Sequence, residues 1–138
     1  DGSAKGRTAI LYFDIDDFAR FNSRFGHNIG DDVLRRVARS IKNSIRPGDL
    51  AGRGDQGDEF TVLLRDTTLE EANRIMEHIC HLIASDVHGA HDIKTSEFVP
   101  YRVGISGGVA MYPGDVSLHN WKDLADKAMF AQKRNKKQ

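Results

Sequence analysis

A single cysteine in 138 residues leaves no partner for an internal disulfide and excludes a cysteine-rich zinc site. Neither sign of charge is in surplus. The 20 Lys and Arg balance 20 Asp and Glu, so the formal net charge at pH 7 is zero. That balance argues against a disordered acidic or basic tail, and against a broad nucleic-acid footprint, which needs excess Lys and Arg. No apolar run approaches the ~20 residues that span a bilayer, and no signal peptide stands at the start. Internal repeats, low-complexity tracts and inter-domain linkers are missing too. The expectation is one reduced, soluble, cytoplasmic domain over residues 1–138, without nucleic acid or direct membrane contact, whose parent protein could still be membrane-anchored. The chain opens Asp1-Gly2-Ser3-Ala4-Lys5-Gly6 without a Met and closes on a basic helix end, Lys133 to Gln138. It reads as a module excised from a longer protein.

What is there has a clear period. Thr8 to Phe13 is an apolar run rich in β-formers and predicts a buried strand. Phe18, Phe21 and Phe25 recur at helical spacing and predict a short helix that stops at Gly26. Val33, Leu34, Val37, Ile41 and Ile45 define a longer amphipathic helix, ended by Pro47-Gly48. Leu50 to Arg53 and Phe60 to Leu64 read as two strands around the turn Gly54-Asp55-Gln56-Gly57. Leu69 to Ala84 is a helix with Ala72, Ile75, Met76, Ile79, Leu82 and Ile83 inward. His88 to Glu97 lacks periodicity and reads as a surface loop. Val99 to Met111 reads as one long strand, with Gly107-Gly108 as a bulge or a close approach. Leu118 to Lys133 is the last helix, with Trp121 packed at its head. The order β-α-α-β-β-α-β-α predicts an α/β (α+β) fold of ferredoxin-like type, a central mixed sheet flanked by helices.

Two acidic clusters carry the chemistry. Asp14-Ile15-Asp16 lies where a buried strand ends, and strand alternation puts Asp14 and Asp16 on one face. Asp58-Glu59 lies at the hairpin turn. If the hairpin pairs with the first strand, the clusters meet at one edge of the sheet. Converging carboxylates repel unless a cation joins them, and hard oxygen donors suit Mg²⁺, with Mn²⁺ also possible. Equally, Asp14 could cap the next helix and Asp58-Glu59 could solvate a turn. His78 and His81 flank Cys80 on a helix and read as a solvated face beside a small packed thiol.

Gly57-Asp58-Glu59-Phe60, between two strands, resembles the signature of the GGDEF family, the diguanylate cyclases. Phe13-Asp14-Ile15-Asp16-Asp17-Phe18 is similar to that family's first-strand motif. Asn22, Phe25-Gly26-His27, Gly30-Asp31 and Leu34 are similar to its substrate-binding helix pair. Ser106-Gly107-Gly108-Val109-Ala110 resembles its late strand, and the run from Ala125 to Lys133 its closing helix. The resemblance covers nearly the whole chain, and five motifs in order are far more specific than any one.

The resemblance implies a palm-like variant of the ferredoxin fold, as in nucleotidyl cyclases. It implies a homodimer that condenses two GTP into cyclic di-GMP and two pyrophosphates, with Mg²⁺ as cofactor. Carried over by residue, Asp14, the Ile15 carbonyl and Asp58 would hold metal, with Asp58 and Glu59 as the catalytic pair. Asn22 and Asp31 would read guanine. Phe18 and Gly57 would offer substrate contacts, and Lys133 and Lys137 would hold phosphate, Lys137 standing where the family has an Arg. Arg46-Pro47-Gly48-Asp49 matches the family's inhibitory motif, in which Arg46 and Asp49 would bind the product cyclic di-GMP. Three departures stand out. Gln56 replaces the first Gly of the signature, the turn is one residue longer, and Ala19 stands where the family often has Lys. The alternative reading is therefore a degenerate, non-catalytic domain that binds GTP or cyclic di-GMP and regulates an attached domain.

Overall fold

β1 (Thr8–Ile15) is the strand around which the rest is built, and its side chains feed two separate cores. Leu11, Phe13 and Ile15 face one helix layer, while Ile10 and Tyr12 face the other. A computed structural model describes residues 6–54 and 57–136 and shows why both faces are apolar. α1 (Phe18–Phe25), α2 (His27–Ser44) and α3 (Leu69–Ser85) belong to the first layer, α4 (Leu118–Lys136) to the second. A strand covered on both faces loses the polar alternation of an exposed strand, hence the run Ala9-Ile10-Leu11-Tyr12-Phe13, each residue at most 5 % exposed.

β2 (Leu50–Arg53), β3 (Glu59–Arg65), β1 and β6 (Ile105–Met111) form a four-stranded sheet in the order β2-β3-β1-β6. Each neighbouring pair is antiparallel, so the sheet is not mixed in strand direction. β2 does run parallel to β1, but β3 folds back between them. The register puts Asp14 opposite Glu59 on one side and opposite Ser106 on the other.

The expected long strand from Val99 to Met111 is two strands in different sheets. β4 (His88–His91) and β5 (Phe98–Tyr101) make a separate antiparallel hairpin, so the expected surface loop starts as a strand. Pro100 explains the break, because a residue without an N–H is confined to short or edge pairings. The hairpin turn is pinned by the Asp92 carboxylate, which accepts from the Lys94 and Thr95 backbone N–H groups. It docks on the end of α1: Ile93 N–H donates to the Arg24 carbonyl at 2.9 Å, and Arg24 Nε meets Asp92 Oδ2 at 3.0 Å. Tyr101 closes the contact against the Phe21 and Phe25 rings.

Gly107-Gly108 is a close approach and not a bulge, since β6 keeps continuous register with β1. A Cβ on Gly108 would overlap the α4 backbone at Ala125 and Met129. Trp121 is buried at the head of α4 and donates from Nε1 to the Ala110 carbonyl at 2.9 Å. Thr68 caps α3 by accepting from Glu71 N–H, a contribution of ~1 kcal/mol. Among the described residues no helix is long and apolar enough to cross a membrane.

Candidate functional site

The two acidic clusters do meet. The Ile15 N–H donates to the Asp58 carbonyl at 3.1 Å, which ties the end of β1 to the β2–β3 turn. In an extended strand the carbonyl of a residue points to the same side as its N–H, so the Ile15 carbonyl faces that turn. The turn itself is closed by Gly54 N–H donating to the Glu59 carbonyl at 2.7 Å and by Arg53 Nη2 donating to the Gly57 carbonyl. Gln56, the departure noted above, lies outside the described residues, as does Asp55.

Asp14 sits half-buried on the α4 face of the sheet. Its Oδ2 accepts from Lys133 Nζ at 2.5 Å, while its Oδ1 is buried without a hydrogen-bond partner. Burial pushes the Asp14 carboxyl above the ordinary range; the Lys133 ammonium opposes that shift and the Asp58 carboxyl adds to it. Glu59 shares this face. Burial and a hydrogen bond to Glu59 push the Tyr12 hydroxyl pKa up, and Asp126 on α4 is raised by burial and by Glu59, Asp123 and Asp14. Asp14, Glu59 and Asp126 thus lie close together on one face, with Lys133 against Asp14 and Lys122 over the Tyr12 ring. Among the described residues no point is ringed by three His, Cys, Asp or Glu side chains. The donor set is Asp14, Asp58 and one backbone carbonyl, all hard oxygens, with an orphaned carboxylate oxygen among them. Those residues fit a divalent cation such as Mg²⁺ that fills its remaining positions from water and phosphate.

Beside this pair lies a cavity of about 230 Å³ lined by Asp16, Asp17, Lys133 and Lys136. α1 begins at its edge. Asp17, left-handed at φ 53°, starts the helix without a side-chain cap; its carbonyl accepts from Phe21 N–H at 3.0 Å, so the N–H groups of Phe18, Ala19 and Arg20 precede the first helical hydrogen bond. Such a terminus suits phosphate. One turn further, Asn22 presses its carboxamide against Gly30, and its Oδ1 is buried without a partner. Asp31 follows Gly30 on the exposed side of α2.

Arg46 and Asp49 form a second locus beyond the start of β2. Asp49 Oδ2 accepts from Arg46 N–H at 3.0 Å and Nε at 3.3 Å, and its Oδ1 accepts from Arg65 N–H at 3.0 Å. Arg46 Nη2 also donates to the Arg65 carbonyl. These residues line an open cavity of about 360 Å³ with Pro47, Gly48 and Asp66.

Known proteins resemble this chain over most of its length. A family profile described as diguanylate cyclase, GGDEF domain, matches residues 2–138. The chain belongs to the GGDEF domain family. It is 36 % identical over 135 residues to diguanylate cyclase A of Treponema denticola, covering 97 % of this chain and 34 % of that protein. It is 29 % identical to the diguanylate cyclase DosC of Escherichia coli K12, covering 91 % of this chain and 26 % of DosC. The GGDEF domain thus spans about a quarter to a third of these relatives. Among solved structures it resembles the GGDEF domain of DgcB from Caulobacter crescentus in complex with c-di-GMP, with a TM-score of 0.80, 28 % identity and coverage of 97 % and 74 % of the two chains. The active GGEEF domain of a Vibrio cholerae diguanylate cyclase gives a TM-score of 0.77 at 27 % identity, with coverage of 94 % and 78 %.

In this GGDEF domain the structure gathers Asp14, Ile15, Asp58, Glu59 and Lys133 at one end of the sheet, with Phe18 and Asn22 on the adjoining helix. Lys137 lies outside the described residues. Asp16 does not join Asp14 and Asp58. Its Oδ1 accepts from Ser106 Oγ at 2.7 Å and its Oδ2 from Lys136 Nζ at 3.1 Å. Lys136 and Ser106 are the site residues that sequence reasoning missed. The spacing of Lys133 and Lys136, three apart on one helix face, was the available signal.

Proposed function

We propose that this domain is a diguanylate cyclase, condensing two GTP into cyclic di-GMP with release of two pyrophosphates. The observation that carries the reading is the convergence of Asp14 and Asp58, with an orphaned buried oxygen on Asp14, beside a lysine and an uncapped helix start.

Guanine is held by the Asn22 carboxamide and the Asp31 carboxylate, which match its donors and acceptors. The α1 N–H groups from Phe18 and the backbone at Gly57 receive the phosphates, and Lys133 leaves Asp14 to take the γ-phosphate as a point charge. A bound Mg²⁺ or Mn²⁺, held by Asp14, Asp58 and the Ile15 carbonyl, would acidify the attacking hydroxyl and offset charge on the leaving pyrophosphate. The 3′-oxygen of one GTP bonds the α-phosphorus of the other, and the bond from that phosphorus to the bridging oxygen breaks. Asp58, with Glu59 beside it, accepts the hydroxyl proton. The same exchange in the opposite sense closes the ring. One domain carries one such set of residues, so two domains must face each other. Positioning and charge neutralisation supply most of the rate. Cyclic di-GMP binds at Arg46 and Asp49 and restrains the enzyme. β2, four residues and about 13 Å long, joins that locus to the catalytic turn.

The test is turnover. Concentrated protein is incubated with GTP and Mg²⁺, and products are separated and identified by mass. Cyclic di-GMP is expected, and Asp58→Ala should cut its formation by at least about a thousandfold while leaving cyclic di-GMP binding at Arg46 intact. No product, even from a domain fused to a forced dimer, would overturn the cyclase reading and leave a nucleotide-binding regulator.

A further inference from the structure

Ser106 is one of two fully buried polar residues in the described chain, and its hydroxyl is spent on Asp16. The mechanism above uses neither residue, nor Lys136. Together they form one relay. Ser106 Oγ donates to Asp16 Oδ1 at 2.7 Å, and Asp16 Oδ2 accepts from Lys136 Nζ at 3.1 Å. Lys136 Nζ also donates to the Ile105 carbonyl at 2.6 Å. An ammonium has three donors, and two are thereby fixed. The third is left for the cavity of about 230 Å³ that Lys136 lines with Lys133, Asp16 and Asp17.

We infer that Lys136 is a triphosphate-binding residue of this domain, aimed at the phosphate cavity by Asp16 and Ser106. The inference rests on the GTP reading above and extends it to residues that reading left idle. Three physical points support it. A lysine usually carries ~2 kcal/mol of rotamer entropy that a ligand contact must overcome, and here two fixed donors have already removed much of it. Asp16 is itself fixed by a buried hydroxyl, so the lysine is held by a rigid anchor and not by a mobile surface acid. Lys133 and Lys136, three apart on α4, both line the same cavity and so present two ammonium groups to one ligand. Asp16 and Ser106 are positioning residues, acting only through Lys136.

The experiment measures binding of guanosine 5′-(α,β-methylene)triphosphate with Mg²⁺, whose α–β bridge cannot be cleaved, against binding of GMP. Lys136→Met should weaken the triphosphate analogue about tenfold or more, the worth of a charge-assisted contact, and leave GMP affinity within about twofold. Asp16→Asn keeps the Ser106 contact but loses the ion pair, and should produce an intermediate loss confined to the triphosphate. Lys136→Arg should restore most of the affinity. Lys133→Met is run alongside. If it weakens the analogue while Lys136→Met does not, the GTP reading stands and this inference falls. Equal loss of GMP and analogue affinity in Lys136→Met would mean a general structural role and would also overturn it. A wild-type domain that binds neither nucleotide removes the reading and the inference together.

Discussion

Asn22 and Gly30 form the most exacting contact between residues in the site. Asn22 Oδ1 is buried with no partner, a state that costs roughly 1–3 kcal/mol when nothing compensates. On the proposed reading a bound guanine would supply the missing donor. Gly30 makes room, because a Cβ there would overlap Asn22 Oδ1. Gly30→Ala should therefore displace the carboxamide and weaken GMP binding at least about tenfold. The helix itself gains ~1 kcal/mol of propensity from alanine, so the melting temperature should hold. Calorimetric titration with GMP, beside a melting curve, checks both. Unchanged GMP affinity would mean that Asn22 does not read the base. At this scale the acids were legible in the sequence. Asp14 and Asp58 hang on a strand end and a tight turn, so local pattern alone brings them near the sheet edge. Lys136 and Ser106 were not legible, because their meeting with Asp16 depends on the phase and depth of α4 against the sheet, which no local pattern encodes.

Among the elements, α4 is the most tightly constrained, since it lies on β6 at Gly108 with backbone against backbone. Gly108→Ala forces the helix away from the sheet and should cost about 1–3 kcal/mol in urea denaturation, with the loss felt at Trp121, Ala125 and Met129, the residues that pack beneath it. A neutral effect would mean that α4 is free to lift. The same helix brings Asp126 toward Glu59 and Asp14, and its carboxyl pKa is raised by burial and by those charges. A carboxyl with a raised folded pKa binds its proton more tightly folded than unfolded, so its charge penalises the fold at neutral pH and the penalty fades as pH falls through the folded pKa. In metal-free buffer Asp126→Asn should raise the melting temperature at pH 7 by about 1–3 °C, and the gain should vanish in acid. A gain that grew in acid would contradict the raised pKa. The main helices and the first three sheet strands were readable from hydrophobic period. β4 and β5 were not, because four-residue strands carrying His, Gly and Pro have no alternation to read. They exist by docking on α1 and by pairing with each other. Tyr101 belongs to the aromatic cluster with Phe21 and Phe25, a contact between segments about 80 residues apart in sequence that only the folded chain brings together.

For the whole molecule, Asp14 and Asp58 converge at one end of the sheet among the described residues, while the proposed product joins two nucleotides. On the proposed cyclase reading, a second copy facing the first would supply the attacking 3′-hydroxyl from the GTP it holds. A symmetric pair does so with identical surfaces and lets both bonds form in one assembly. The consequence is kinetic. If the isolated domain associates weakly, the dimer concentration rises as the square of total protein, and turnover per domain rises in direct proportion to protein concentration. Once the dimer is saturated, turnover per domain becomes constant. Activity measured across a hundredfold dilution series should therefore fall off linearly per domain at the dilute end, and fusing the domain to a dimerising segment should abolish that dependence by raising the effective concentration. Turnover per domain that stays constant through the whole series without fusion, in a sample that runs as a monomer at every concentration, would mean that one domain holds both nucleotides.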